Sequence, residues 1–170
     1  MTNIDISVII PARNTGSYLK KCINSMINQT ASNIEIIIVD DASDPPLKSL
    51  LYNEYKTYQN IIYLRNETPM RPGGARNRGI DIAHGRYITF CDSDDWIDLN
   101  YFEQVIKYMD TTMADIGMTS MMRNDDYSQN PFYKCYYDRL YTLTPSIALK
   151  ILSGSYDMGI QIVPACINKV

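Results

Sequence analysis

One histidine, His84, is all the imidazole this chain contains, and no two cysteines stand in a CxxC spacing. Cys22, Cys91, Cys135 and Cys166 are scattered, so a zinc site would have to recruit His84 or carboxylates. Cys22 and Cys91 lie in apolar patterns and read as small core residues rather than disulfide partners, which suits a reducing compartment. Basic runs are absent and the formal net charge is −3, which argues against a nucleic-acid partner held by bulk electrostatics. No stretch approaches the ~20 apolar residues of a transmembrane helix. Met1-Thr2-Asn3-Ile4-Asp5 has neither a charged leader region nor a cleavage site. The missing Gly-Lys-Ser/Thr loop removes the P-loop enzymes. These absences point to a soluble cytoplasmic domain, the inner face of the membrane being one location open to it. What is present is 170 residues with 45% apolar content, enough for one domain with a proper core.

The apolar pattern alternates between two element types. Ile6-Ser7-Val8-Ile9-Ile10 reads as a buried strand stopped by Pro11, with a loop from Ala12 to Gly16. Leu19, Ile23, Met26 and Ile27 form the stripe of a helix over Ser17 to Asn28. Ile34 to Val39 is a second buried strand, Leu47 to Tyr58 a helix and Ile61 to Leu64 a third strand. Pro69 to Gly74 reads as a loop, Ala75 to Ala83 as a helix with a small-residue face, and Gly85 as its stop. Tyr87 to Phe90 is a fourth strand, and Asn100 to Met113 a helix turned inward on Phe102, Val105, Ile106 and Met109. Strands alternating with helices imply βαβ units and a mostly parallel sheet with covered faces. After Ile116 the pattern weakens. Arg123 to Asn130 is turn-like, Phe132 to Tyr141 an irregular strand, Thr144-Pro145 the start of a helix running to about Ser153, and Ile160 to Val163 strand-like.

Phe90-Cys91-Asp92-Ser93-Asp94-Asp95-Trp96 is the most informative segment. Three carboxylates in four residues follow a strand, where open α/β sheets bind ligands. Their mutual repulsion would be offset by a hard divalent cation, manganese or magnesium, since both take oxygen ligands. The plain alternative is an acidic turn capping the next helix. A dehalogenase-like phosphatase motif fits poorly, because Trp96 lacks the hydroxyl expected there, and an EF-hand fails because Ile97 stands where its glycine belongs. Two further loops end strands, Pro11 to Asn14 and Asp40 to Ser43. A glycine-arginine stretch, Arg71-Pro72-Gly73-Gly74-Ala75-Arg76-Asn77-Arg78, opens the following helix, an arrangement that favours phosphate. Acids for a metal together with arginine and amides for phosphate describe a nucleoside-diphosphate site. Each piece has a plainer reading beside it. Asp40-Asp41 can start a turn, Gly73-Gly74 can be a tight turn, Arg76 and Arg78 can be solvated, Trp96 can be packing, and His84 can complement a helix end.

Taken in order, four blocks resemble an inverting glycosyltransferase of family 2 with the GT-A fold, a Rossmann-like α/β architecture. They are Val8-Ile9-Ile10-Pro11-Ala12-Arg13-Asn14; Gln29-Thr30 with Glu35 to Ser43; Gly74-Ala75-Arg76-Asn77-Arg78-Gly79-Ile80; and Gly85 to Asp95. The resemblance implies a donor site in which Pro11, Ala12, Arg13 and Asn14 line the nucleoside pocket. Asp41, with Asp40 beside it, meets the base, and Gly74 and Arg76 hold the nucleotide. Asp92-Ser93-Asp94 would be the D-x-D motif, with Asp94 as the metal ligand and Asp92 near the ribose or the metal. A uridine diphosphate sugar is the first expectation for the donor and a glycan hydroxyl for the acceptor. Residues 1–120 would form the nucleotide-binding part and residues 121–170 the start of an acceptor side.

Such enzymes add a downstream carboxylate as general base. Pro164-Ala165-Cys166-Ile167-Asn168-Lys169 resembles the segment before it, and there the chain stops. Asp115, Asp125, Asp126, Asp138 and Asp157 lack a matching context and none is assigned as base. Two readings follow: a metal-dependent transferase of sugar from a nucleoside diphosphate, or a nucleotide-sugar-binding module without turnover. An apparent stop inside the domain also implies an uncovered apolar face and self-association into a homo-oligomer.

Overall fold

A computed structural model describes residues 3–120, 143–152 and 162–168. Its elements are β1 (Ile6–Ala12), α1 (Gly16–Ile27), β2 (Ile34–Asp41), α2 (Lys48–Tyr55), β3 (Ile61–Asn66), α3 (Arg71–Ile82), β4 (Tyr87–Phe90), α4 (Tyr101–Thr112), β5 (Ile116–Ser120), α5 (Pro145–Leu152) and β6 (Ile162–Asn168). The sheet order is β3-β2-β1-β4-β6-β5. The first four strands are parallel and β6 runs antiparallel to both its neighbours. The expected α/β class with a mostly parallel sheet is what the chain adopts. Because β6 inserts between β4 and β5, residues beyond 120 return to the same sheet. The turn expected at Arg123 to Asn130 and the strand expected at Phe132 to Tyr141 lie outside the described residues.

The unbroken apolar strands divide their side chains between two layers, as the pleat requires. Ile6, Val8 and Ile10 of β1 and Ile34, Ile36 and Ile38 of β2 pack against Leu19, Ile23 and Met26 of α1, Leu51 of α2, and Phe102, Val105 and Met109 of α4. Ile9, Ile37 and Val39 face the other way, onto Ala75 and the α3 layer. That second layer is thin. A Cβ on Gly79 would lie 2.4 Å from Ile9 Cγ2, so α3 approaches the sheet only because Gly79 has no side chain.

Among the element boundaries that differ from the sequence expectation, three shape the edge of the sheet. β1 does not stop at Pro11 but runs to Ala12, with Pro11 paired to Val39. In a parallel ladder alternate residues point to the same neighbour, and Ile9 points to β4, since its carbonyl accepts from the Cys91 amide. β4 ends opposite Ile9, so the N–H that Pro11 lacks has no strand to bond and the proline is tolerated. β2 likewise continues through Asp40 and Asp41. Finally α3 begins at Arg71 rather than Ala75, so Gly73 and Gly74 lie in its first turn and not in a loop.

At the amino edge of the sheet, Glu35 is buried on β2 and accepts from the Ser7 hydroxyl and from the His84 and Gly85 amides. The exposed His84 ring, just past the end of α3, stands 3.4 Å from the same carboxylate, a partner the sequence reading did not name.

Candidate functional site: the carboxyl edge of the sheet

The loops after β1, β2, β3 and β4 gather at one edge, since those strands are parallel. Asn14 and Ala42, in the first two loops, and Arg71, where the third loop enters α3, have left-handed backbones with φ of 53°, 57° and 63°. Non-glycine residues adopt that region at a cost and persist there when the surroundings hold them. Here the hold is visible. The Asn14 amide donates to Ser43 Oγ at 3.0 Å, and Asn14 Oδ1 accepts from the Asp44 amide at 3.0 Å. These two bonds staple the first loop to the second. Pro11 and Ala12 are buried in β1 beneath it, while Arg13 and Asn14 are exposed above.

Asp40 and Asp41 have separate tasks. Asp40 is fully buried and turned inward. Its Oδ1 accepts from the Ser43 amide at 2.8 Å, and its Oδ2 from the Leu47 amide at 3.1 Å, the Tyr63 hydroxyl at 2.8 Å and Arg65 Nη1 at 2.7 Å. Burial by itself raises a carboxyl pKa, but the donors from Ser43, Leu47 and Tyr63 outweigh it and hold Asp40 below the usual range. Tyr63 is correspondingly pushed up to about 12, by burial and then by its bond to Asp40. Asp40 therefore shapes the second loop rather than offering oxygens at the surface.

Asp41 Oδ1 accepts from Asn66 Nδ2 at 2.7 Å and the Met70 amide at 2.8 Å, and Oδ2 from the Arg71 amide at 2.9 Å. The second strand thus supplies the carboxylate at the amino end of α3. Burial would raise Asp41 too, but the Asn66, Met70 and Arg71 donors and the Arg13 charge hold it low. It is an ionised acceptor whose Oδ2 carries a single described bond. Gly74 belongs to this packing: a Cβ there would lie 2.7 Å from Met70 Cβ, so its bare backbone accommodates Met70.

The acid loop follows β4. Ser93 is buried, while Asp92, Asp94 and Asp95 are exposed. Arg76 Nη2 on α3 reaches Asp92 Oδ1 at 2.5 Å. Asp94 has no hydrogen bond or ion pair to another described residue. Burial, and then the charges of Asp94 and Asp92, push the Asp95 carboxyl upward. α1 and the residues just after it hold the loop from below. Cys22 Sγ donates to the Asp92 carbonyl at 3.6 Å, Ser25 Oγ accepts from the Ile97 amide at 3.3 Å, and Gln29 Nε2 donates to the Asp98 carbonyl at 2.6 Å. Gln29 Oε1 also accepts from the Phe102 amide at 3.0 Å, which satisfies one of the open donors at the start of α4. Trp96 is 37% exposed, with Lys21 Nζ 3.2 Å above its ring. Cys22 and Cys91 are free thiols 3.8 Å apart, in keeping with the core reading.

The donor set, three carboxylates within four residues, is of the oxygen type that a hard divalent cation takes. Among the described residues no three ligating side chains converge; Asp92 and Asp94 are exposed acids that could offer oxygens to such an ion.

Sequence reasoning missed Tyr63, Arg65 and Asn66, which brace the two acids, and took Arg78 for a solvated charge. Arg78 Nη1 donates to Asn66 Oδ1 and to the Arg65 carbonyl, both at 2.5 Å. The available signal was position: Arg65 and Asn66 end β3, beside the acids that end β2.

Comparison with known proteins bears on the family and the fold. The sequence model of the family described as Glycosyl transferase family 2 matches residues 7–159. Glycosyltransferase GlyA of Streptococcus pneumoniae serotype 4 is 35% identical over 141 residues, 80% of this chain and 20% of that protein. The poly(ribitol-phosphate) beta-glucosyltransferase of Bacillus spizizenii is 40% identical over 116 residues, 66% of this chain and 18% of that protein. Residues 1–349 of S. aureus TarS, solved in complex with UDP-GlcNAc, superpose with a TM-score of 0.62 at 28% identity, covering 66% of this chain and 33% of that one. This chain spans about a fifth of the length of the two curated relatives.

Proposed function

The chain belongs to glycosyltransferase family 2, and from that premise we propose that its carboxyl-edge site is the donor site of an inverting, metal-dependent sugar transferase using a nucleoside diphosphate sugar. The observation that carries the reading is the continuous tie from Asp41 through the first turn of α3 to Arg76 and on to Asp92. It joins a base acceptor, a phosphate donor and a metal-ligating acid in one connected unit.

The roles follow from chemistry. Asp41, ionised and acceptor-only, selects a base that presents a ring N–H, as uracil does at N3 and adenine does not at N1. Arg13 and Asn14 stand exposed on the first loop, beside that position. Arg76 offers guanidinium donors to the diphosphate. Asp92 and Asp94 would hold manganese or magnesium, which when bound neutralises the charge developing on the departing diphosphate. The β1 and β2 loops, stapled together, keep these groups in register before ligand arrives, which reduces the ordering cost of binding. The acceptor, a glycan hydroxyl in this reading, would enter from the side that residues after 120 supply. The general base is a separate group. Asp115 precedes β5, which runs parallel to β4, and so lies at the opposite edge of the sheet from this site. The other acids weighed from sequence, at 125, 126, 138 and 157, lie outside the described residues. The support from comparison is TarS, whose complex holds UDP-GlcNAc in a related fold.

Titration calorimetry with uridine diphosphate tests the reading. Affinity should fall at least tenfold when EDTA replaces Mn²⁺. Asp94→Asn should reproduce that fall with an unchanged melting temperature, since the side chain is exposed and unpaired among the described residues. Equal affinity in Mn²⁺ and EDTA would sink the metal role.

A further inference from the structure

We infer that Arg78 is a positioning residue for base selection: through the Asn66 amide it fixes which oxygen of Asp41 stays open, and so favours uracil over guanine. The inference rests on the donor-site reading above and adds to it a residue and a discrimination. Arg78 lies half-buried on α3, and its Nη1 donates to Asn66 Oδ1 and to the Arg65 carbonyl, both at 2.5 Å. Asn66 in turn donates from Nδ2 to Asp41 Oδ1 at 2.7 Å. Asn66 is 1% exposed, so its amide has little water to turn to. Among the described residues Arg78 makes no ion pair. Its charge is spent on two neutral oxygens, and one of them is a single amide away from the Asp41 carboxylate.

That amide can bridge its neighbours in only one sense. A guanidinium only donates and a carboxylate only accepts, so Asn66 must turn its oxygen to Arg78 and its nitrogen to Asp41. The bridge is aligned with the charges at both ends, which strengthens each bond in the chain. The consequence falls on Asp41, whose two oxygens offer about four acceptor positions. Asn66 and the Met70 amide take Oδ1, and the Arg71 amide takes one position on Oδ2. The position left open is on Oδ2. Uracil brings one ring donor, N3–H, and fills it. Guanine brings two donors side by side, N1–H and the exocyclic amine, and its paired fit to a carboxylate takes both oxygens. Oδ1 is not free for the second. Without Arg78, Asn66 Oδ1 loses its donor in a buried place and the amide no longer has one required orientation. Its hold on Asp41 Oδ1 loosens, and the margin against guanine narrows.

Calorimetry on the folded chain in Mn²⁺ compares uridine diphosphate with guanosine diphosphate. The parent should prefer the uridine compound by roughly tenfold or more, the scale of one polar group left unpaired. Arg78→Met should weaken uridine diphosphate by roughly three- to tenfold, the range for one net hydrogen bond, and leave guanosine diphosphate nearly unchanged. The preference then shrinks by the same factor. Arg78→Lys, whose ammonium keeps a charged donor for Asn66, should restore most of it. A purely structural role for Arg78 would move the two affinities together and leave their ratio fixed. Should Arg78→Met not fold, Arg78→Gln takes its place, since its amide keeps a neutral donor near Asn66. A parent that prefers uridine diphosphate, with the same ratio in the variant, overturns the inference and leaves the donor site standing. A parent that binds both nucleotides equally well overturns it too. A parent that binds neither removes the donor-site reading and the inference with it.

Discussion

At the scale of single residues, the two adjacent carboxylates of β2 divide labour by which way they point. Asp40 points into the protein and organises the loop through four donors, while Asp41 sits at the edge and joins α3. Replacing Asp40 with Ala strands Arg65, the Tyr63 hydroxyl and two amides, and should cost about 3 kcal/mol, the scale for breaking a buried charged network. The pH dependence has a definite sign. Asp40 and Asp41 have lowered pKa values in the folded state. Their stabilisation is complete above the unfolded-state value of about 4 and is lost as pH falls through the folded value. Urea melts of the parent between pH 7 and pH 2 should therefore lose stability below about pH 4. Asp40→Ala should start lower and fall less steeply; an identical acid limb would show that Asp40 carries no linked proton.

At the scale of elements, α3 is the helix on which both the site and the second core layer depend. Its position is limited by contact with β1. In Gly79→Ala the new methyl meets Ile9, which is fully buried and cannot swing into solvent. Overpacking of this kind costs roughly 1–3 kcal/mol, partly offset by the better helix propensity of alanine. Chemical denaturation of Gly79→Ala, Ile9→Ala and the double variant should show the double losing clearly less than the sum of the singles. Strict additivity would mean that the two residues do not limit each other. A shifted α3 would also carry Arg76 with it, so the same variant should weaken nucleotide binding. Gly85 is tighter still, since a Cβ there would lie 2.5 Å from the Ser7 backbone nitrogen, which has little freedom to yield.

At the scale of the whole molecule, the site is assembled from four loops that only the sheet brings together, so ligand binding and global stability are linked. A ligand at a hundred times its dissociation constant adds about 2.7 kcal/mol. For a domain of this size that corresponds to a melting shift of roughly 5–10 °C. Thermal scans should show such a shift for uridine diphosphate with Mn²⁺ and a much smaller one for adenosine diphosphate with Mn²⁺, whose base lacks a ring N–H for Asp41. Equal shifts would place recognition wholly in the diphosphate and remove Asp41 from base selection. No described helix is long and apolar enough to cross a membrane.

Much of this was written in local pattern. Four strands, the helices between them and the acids that end β2 and follow β4 were legible from hydrophobic periodicity and from carboxylates that no core would tolerate unpaired. So was the parallel sheet, because strands alternating with helices have few other ways to bury their faces. What periodicity could not reach was decided by contacts between segments distant in sequence. Pro11 and the two acids of β2 are strand residues because their neighbours in the sheet supply or excuse the hydrogen bonds. The first turn of α3 forms across two glycines because Asp41, thirty residues earlier, accepts from the Arg71 amide. β5 had no counterpart in the sequence reading and β6 only the strand-like run up to Val163; β6 takes its full length by pairing with both β4 and β5. The same holds for Asp40: its residue type marks it as a candidate ligand, and only the burial of its side chain among Tyr63, Arg65 and the Leu47 amide makes it the brace of the site instead. A carboxylate's chemistry is a property of its sequence position, but whether its oxygens face ligand or protein is settled by the direction the folded backbone gives them.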